Sequence, residues 1–145
     1  MLTKKLSSFS FHSFVILACL GCGSGVEKLD LHPVTGKVTK GGEPAAYIML
    51  TLFSKTGDAP GLMAVTGADG TFEVAMGNGD KGAPVGTYAI VLSDRQAAEV
   101  DYNKPGGDPT KSERIPKVLT DRSTTDLLVE VKADGENTID IELDR

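Results

Sequence analysis

The chain has no tryptophan, and its two cysteines, Cys19 and Cys22, both lie near its start. Everything beyond them lacks a disulfide to staple it and a thiol for redox or nucleophilic chemistry. Histidine is nearly as scarce. After His12 comes only His32, which reads as a solvated linker residue at the start of the folded part. Nucleophilic catalysis needs a base beside its nucleophile, and no Gly-x-Ser-x-Gly is present. Transition metals want several imidazole or thiolate ligands, which the chain does not have. Calcium takes oxygen ligands, and Asp69, Asp80, Asp101, Asp108, Asp121 and Asp126 fall in or near loops. None of them builds an Asp-x-Asp-x-Asp-Gly loop, and they read as solvated acids. The expectation is a non-enzyme with no catalytic residue, no cofactor-binding residue and no metal ligand.

Positive charge is also short. Fifteen basic residues face 20 acidic ones, a formal net charge of −5. With no basic patch, such a chain is repelled by phosphate backbones, so no nucleic acid partner is expected. Long apolar runs are missing too. The run Phe14–Leu20 is seven residues, far below the ~20 a membrane-spanning helix requires.

That run nevertheless organises the N-terminus. Lys4 and Lys5 precede it, no acid occurs before Glu27, and small residues close it. A basic start, a short apolar stretch and a small-residue end describe a signal peptide. Cys22 follows Leu20-Gly21 and precedes Gly23-Ser24-Gly25, and this context resembles the bacterial lipobox. The resemblance implies cleavage before Cys22 and acylation of its thiol and new amine. Cys19, after Ile16-Leu17-Ala18, is the alternative lipidation site, with an apolar run shortened to five residues. The organisation read from this is a signal peptide at 1–21, a lipidated cysteine with a flexible linker at 22–32, and a domain at 33–145. Two or three acyl chains hold a protein stably, where one is marginal. No Asp follows Cys22, so the expected place is the outer membrane or the cell surface, with the membrane itself as a partner.

Glycine and proline are what the chain has in quantity, 17 and 7 residues, as suits short strands joined by turns. Val34 and Val38 alternate with polar residues before Gly41-Gly42. Tyr47–Phe53 is the most apolar stretch of the domain, with Ile48, Leu50 and Leu52 on one face and Tyr47, Met49, Thr51 and Phe53 on the other, and reads as a central strand covered on each side. Ala68-Asp69-Gly70 marks a tight turn before Phe72, Val74 and Met76. Tyr88, Ile90 and Leu92 alternate next. Residues 94–114 break the rhythm with two prolines and a Gly-Gly pair, and read as a mobile loop, functional or merely mobile. Leu127, Val129 and Val131, then Ile139, Ile141 and Leu143, read as the two arms of a closing hairpin. The result is an all-β chain, a single antiparallel β-sandwich of about seven strands.

Val34-Thr35-Gly36-Lys37-Val38 with the following Gly-Gly and Glu43-Pro44 resembles the opening of carboxypeptidase-regulatory-like domains, which are transthyretin-like sandwiches. Thr66–Phe72 resembles their Gly-x-Phe turn, and Pro84-Val85-Gly86-Thr87-Tyr88 their Pro-x-Gly-x-Tyr strand start. The stretch from Ile115-Pro116-Lys117 to Asn137 is similar to the end of short bacterial lipoproteins built on this domain, with Val118 where an aromatic is usual. The resemblance implies a non-catalytic module. Hydroxyisourate hydrolase, an enzyme on such a fold, ends in Tyr-Arg-Gly-Ser, whereas this chain ends Glu142-Leu143-Asp144-Arg145. The expected role is a structural or protein-interaction module of the cell envelope. The alternative is a surface carbohydrate-binding module that uses Tyr47 and Tyr102 as platforms.

The anchor is testable by intact mass of the membrane-fraction protein. A mass beginning at Cys22 plus acyl chains is expected, lost in Cys22→Ala and kept in Cys19→Ala; the reverse pattern assigns Cys19.

Overall fold

The computed structural model describes residues 29–57, 59, 61–96 and 113–144. They form a β-sandwich of nine strands in two facing sheets. One sheet holds β1 (Val34–Lys40), β2 (Glu43–Pro44), β5 (Thr71–Glu73) and β9 (Asn137–Glu142). The other runs in the order β6 (Ala75–Met76), β4 (Leu62–Val65), β3 (Ile48–Ser54), β7 (Gly86–Asp94) and β8 (Leu128–Val131). A short 3₁₀ turn at Lys117–Leu119 leads towards β8 and buries Leu119.

The core follows the period of two that strands impose. Ile48, Leu50 and Leu52 of β3 and Tyr88, Ile90 and Leu92 of β7 face Val34, Val38, Phe72 and Ile141 of the other sheet, all of them buried. The Tyr88 ring is buried as well, and its hydroxyl donates to the Pro84 carbonyl at 2.8 Å, so the polar tip has a partner. The stretch read from sequence as central is central, since β3 pairs with β4 on one side and β7 on the other, but it is not covered on both faces: Ile48, Leu50 and Leu52 are buried between the sheets, while Met49, Thr51 and Phe53 on the outer face are half-buried.

Two findings depart from the sequence reading. The last two strands are not a hairpin, because β8 pairs with β7 in one sheet and β9 with β1 in the other. Asn137 marks the crossing. Its buried side-chain amide accepts from the Lys132 N–H and donates to the Lys132 and Pro33 carbonyls, at 2.9, 3.1 and 3.3 Å. These bonds satisfy the backbone where a cross-strand partner would sit, and the chain crosses between sheets. The second departure is that the β1–β9 pair is parallel, in an otherwise antiparallel sandwich, with Gly36 opposite Ile139.

Gly36 is required here by space. A Cβ on it would stand 1.9 Å from the Ile139 carbonyl oxygen and 2.7 Å from Phe72 Cζ. Gly70 is required by conformation as well, at φ +76° with the Val38 carbonyl 2.6 Å from its would-be Cβ, a backbone that L side chains resist. Three carboxylates lock local turns, Asp69 and Asp121 exposed and Glu142 half-buried. Asp69 accepts from the Thr71 hydroxyl and N–H, and Asp121 from the Ser123 hydroxyl and N–H. Glu142 accepts from Asp144 N–H, the Thr39 hydroxyl, and Gly41 and Gly42 N–H. These bonds favour the charged forms and lower all three pKa values.

Gly36→Ala is expected to lower stability by about 3 kcal/mol, read as a shift of the urea midpoint. The three carboxylates have folded pKa values below their unfolded ones, so their stabilisation is present above about pH 4 and is lost as pH falls through the folded values. The urea midpoint should therefore drop below about pH 4, and Glu142→Gln should flatten that dependence.

Candidate functional site

The chain enters the sandwich at the start of β1, where His32 exchanges backbone hydrogen bonds with Ala83 at 2.9 Å. His32 is thus paired and half-buried rather than a solvated linker residue, and its Nε2 lies 3.6 Å from Asp30. β1 then runs about 20 Å at ~3.3 Å per residue to Lys40. The opposite end of the sandwich is assembled there from the β1–β2 turn, the turn before β3, the end of β7 and the chain around Arg114.

At that end Asp94 sits in the wall of the core. The 94–114 loop read from sequence begins too early, because β7 continues through Asp94, which shares the inward face of Tyr88, Ile90 and Leu92 and is 2 % exposed. A carboxylate in that place must be paired. Arg114 supplies the partner: its Nε donates to Asp94 at 2.7 Å, and its Nη2 donates to the other carboxylate oxygen. The bond is bidentate, the strong form of a charge-assisted hydrogen bond. Arg114 Nη1 also donates to the Ala46 carbonyl at 3.2 Å, and Gln96 N–H donates to Asp94 at 2.9 Å. Lys40 Nζ donates to the Glu113 and Arg114 carbonyls at 3.2 and 3.3 Å. The end of β7 and the chain at Arg114 are therefore joined through Asp94.

Tyr47 stands on this platform. It is the non-glycine residue with positive φ among the described residues, at +58°, a left-handed conformation that L residues adopt at an expense of about 1–2 kcal/mol. The strain is held from both sides. Tyr47 N–H donates to the Thr66 carbonyl at 3.1 Å, and its own carbonyl accepts from Arg95 N–H at 3.0 Å. The buried Thr66 hydroxyl donates to the Ala45 carbonyl and accepts from Ile48 N–H, at 2.7 and 2.9 Å. With its backbone fixed this way, the Tyr47 side chain is carried outward, 49 % exposed. Beside it a cleft of 440 Å³ is lined by Lys40, Glu43, Pro44, Arg114 and Asp144 among others.

Sequence reasoning named Tyr47 and missed the clamp beneath it. The signal was available, since Asp94 is the next inward position after Leu92, and an acid in that register calls for a cation. Tyr102, Cys19 and Cys22 lie outside the described residues, as does most of the 94–114 loop. Among the described residues no three His, Cys, Asp or Glu side chains cluster as metal ligands, and no helix is long and apolar enough to cross a membrane. No family model matches the chain, and no curated protein or solved structure does either.

The arrangement offers hydrogen bonding, one aromatic surface and a rigid backbone. Arg114→Ala is expected to destabilise the domain by about 3 kcal/mol, because it leaves the buried Asp94 carboxylate without its counter-charge. Asp94→Asn, which keeps a hydrogen-bonding group in place, should lower the denaturation midpoint by less.

Proposed function

We propose that the protein is an exported, lipid-anchored envelope protein, a short bacterial lipoprotein whose carboxypeptidase-regulatory-like, transthyretin-like sandwich acts as a non-catalytic protein-interaction module. The anchor half of this reading rests on Phe14–Leu20 and the cysteine that follows. The interaction half is carried by one observation: β8 and β9 are the outermost strands of their two sheets, side by side in the chain, and neither pairs on its outer side among the described residues.

The edge of β8 is the more specific offer. Ile90 N–H bonds the Leu127 carbonyl, and Thr87 uses its carbonyl towards β3 through Lys55 N–H. By the alternation of an antiparallel ladder, Val129 and Val131 turn their backbone groups towards β7, and Leu128 and Glu130 turn theirs outward. An extended segment of a partner can add there as a further strand, with main-chain bonds supplying affinity. Asp126, Glu130 and Lys132 flank this edge, the charged side chains that keep an open strand from indiscriminate pairing.

The second reading, a surface carbohydrate-binding module, rests on the exposed, rigidly held Tyr47 ring. It requires Tyr102 to reach the same surface.

A photoreactive residue in place of Lys132, irradiated in intact cells, is expected to form a discrete adduct with an envelope protein. Glu130→Pro, which removes an outward N–H and spares the β7 ladder, should abolish that adduct without lowering the melting temperature. Adducts unchanged by Glu130→Pro, or none from Lys132, would sink the edge reading.

A further inference from the structure

β8 ends the five-stranded sheet, and its side chains carry a pattern that the ladder to β7 does not use. Leu128 and Glu130, which turn their backbone groups outward, have side chains that stand in solvent, Leu128 58 % and Glu130 67 % exposed. Asp126 and Lys132 continue the same period of two, one beyond each end of the strand. Along the edge the row therefore reads minus, neutral, minus, plus. Lys132 Nζ lies 3.7 Å from the Glu130 carboxylate of its own strand. On the inner side Leu127 and Val131 are buried, with Val129 half-buried between them. A strand that adds here meets an ordered row of charge as well as open backbone groups.

We propose that the strand which adds to this edge is β8 of a second copy, antiparallel and related by a twofold axis at Val129, so that two five-stranded sheets become one. The inference rests on the β8-edge reading above and names its partner. Geometry leaves few registers. In an antiparallel ladder, residues that exchange both main-chain bonds stand directly opposite each other. Across this edge, outward-turned residues must therefore face outward-turned residues, and a slip of one position is excluded. Twofold symmetry then sets one residue opposite its own copy. With Leu128 on the axis, Glu130 faces Asp126 of the other copy on both sides. With Glu130 on the axis, two carboxylates face each other directly. Like charges in directly opposite positions destabilise a sheet. With Val129 on the axis neither clash arises. Leu128 exchanges main-chain bonds with Glu130 of the second copy, and Asp126 stands across from Lys132 of the second copy at both ends. The two Glu130 residues meet only on the diagonal, about 7–8 Å apart, each beside its own Lys132. The row is thus complementary to itself when reversed, and this selects a second copy as the occupant. Anchoring of the copies in one membrane raises their effective concentration for such pairing.

The test is sedimentation velocity of the full chain in non-ionic detergent, across protein concentrations, with Asp126→Lys, Lys132→Glu and an equal mixture of the two variants. A two-copy species is expected for wild type. Each variant alone opposes like charges at both ends and should raise the dissociation constant roughly tenfold, with the melting temperature unchanged. The mixture should recover the wild-type affinity, because in a mixed pair both facing positions are again of opposite sign. A wild-type monomer at every concentration overturns the proposal. So does a dimer indifferent to both variants, or a mixture that associates no better than either variant alone. The Lys132 photoadduct separates this failure from that of the edge reading. An adduct with a different envelope protein, formed by a chain that sediments as a monomer, overturns the second copy and keeps the β8 edge as a docking strand. Absence of any adduct removes the edge reading and the second copy with it.

Discussion

The sandwich is closed by the parallel ladder between its first and last strands. Six residues of β1, Val34 to Thr39, pair with Asn137 to Glu142, and about a hundred residues lie between them. Bringing such distant segments together carries a loop-closure entropy that grows only slowly with length, and there is no disulfide in the folded part to share it. The ladder must therefore be tight. Gly36 makes it so, since its missing Cβ leaves room for the Ile139 carbonyl and the Phe72 ring. The Glu142 carboxylate then binds the turn that follows β1 through Gly41 and Gly42. The same strand pair thus sets the sheet, the approach to the core and the geometry of the far end.

That far end is built from polar groups which the core obliges to be satisfied. Asp94 is placed by the alternation of β7 against the hydrophobic interior, and burial makes Arg114 its necessary partner. The guanidinium in turn reaches the Ala46 carbonyl and helps fix the turn that exposes Tyr47. Thr66 does the equivalent from the β4 side. A residue held in an unfavourable backbone region by several independent bonds is a pre-organised surface group, and such strain concentrates where proteins meet ligands. The stability of the core and the presentation of the Tyr47 ring are consequences of the same bonds.

The two sheets divide the remaining work. The β1 sheet shows water a polar face, while the β3 sheet shows it methionine, valine and leucine. Both bury alternate residues equally well, so the core does not explain the difference. The open edge of β8 lies at the border of that face.

The strand content, the inward residues of β1, β3 and β7, and the turn at Asp69-Gly70 were legible in the sequence, because a period of two and an Asp-Gly pair are local signals that burial enforces. Tyr47 was read as the first residue of a strand covered on both sides, its exposure following only from the carbohydrate-binding alternative, whereas it stands exposed in a left-handed turn before β3. What the sequence could not decide was which strands become neighbours. Leu127–Val131 and Asn137–Leu143 have the pattern of a hairpin, yet they pair in different sheets, with the side chain of Asn137 bonding Lys132 and Pro33 where the chain crosses. The register of Asp94 showed that it would need a cation, but not that Arg114 would supply it, since the two groups are twenty residues apart and their meeting depends on where β7 ends. Alternation tells a residue which face it occupies. Tertiary structure alone decides what that face will meet, because the partners are brought together by packing between sheets and not by neighbours in sequence.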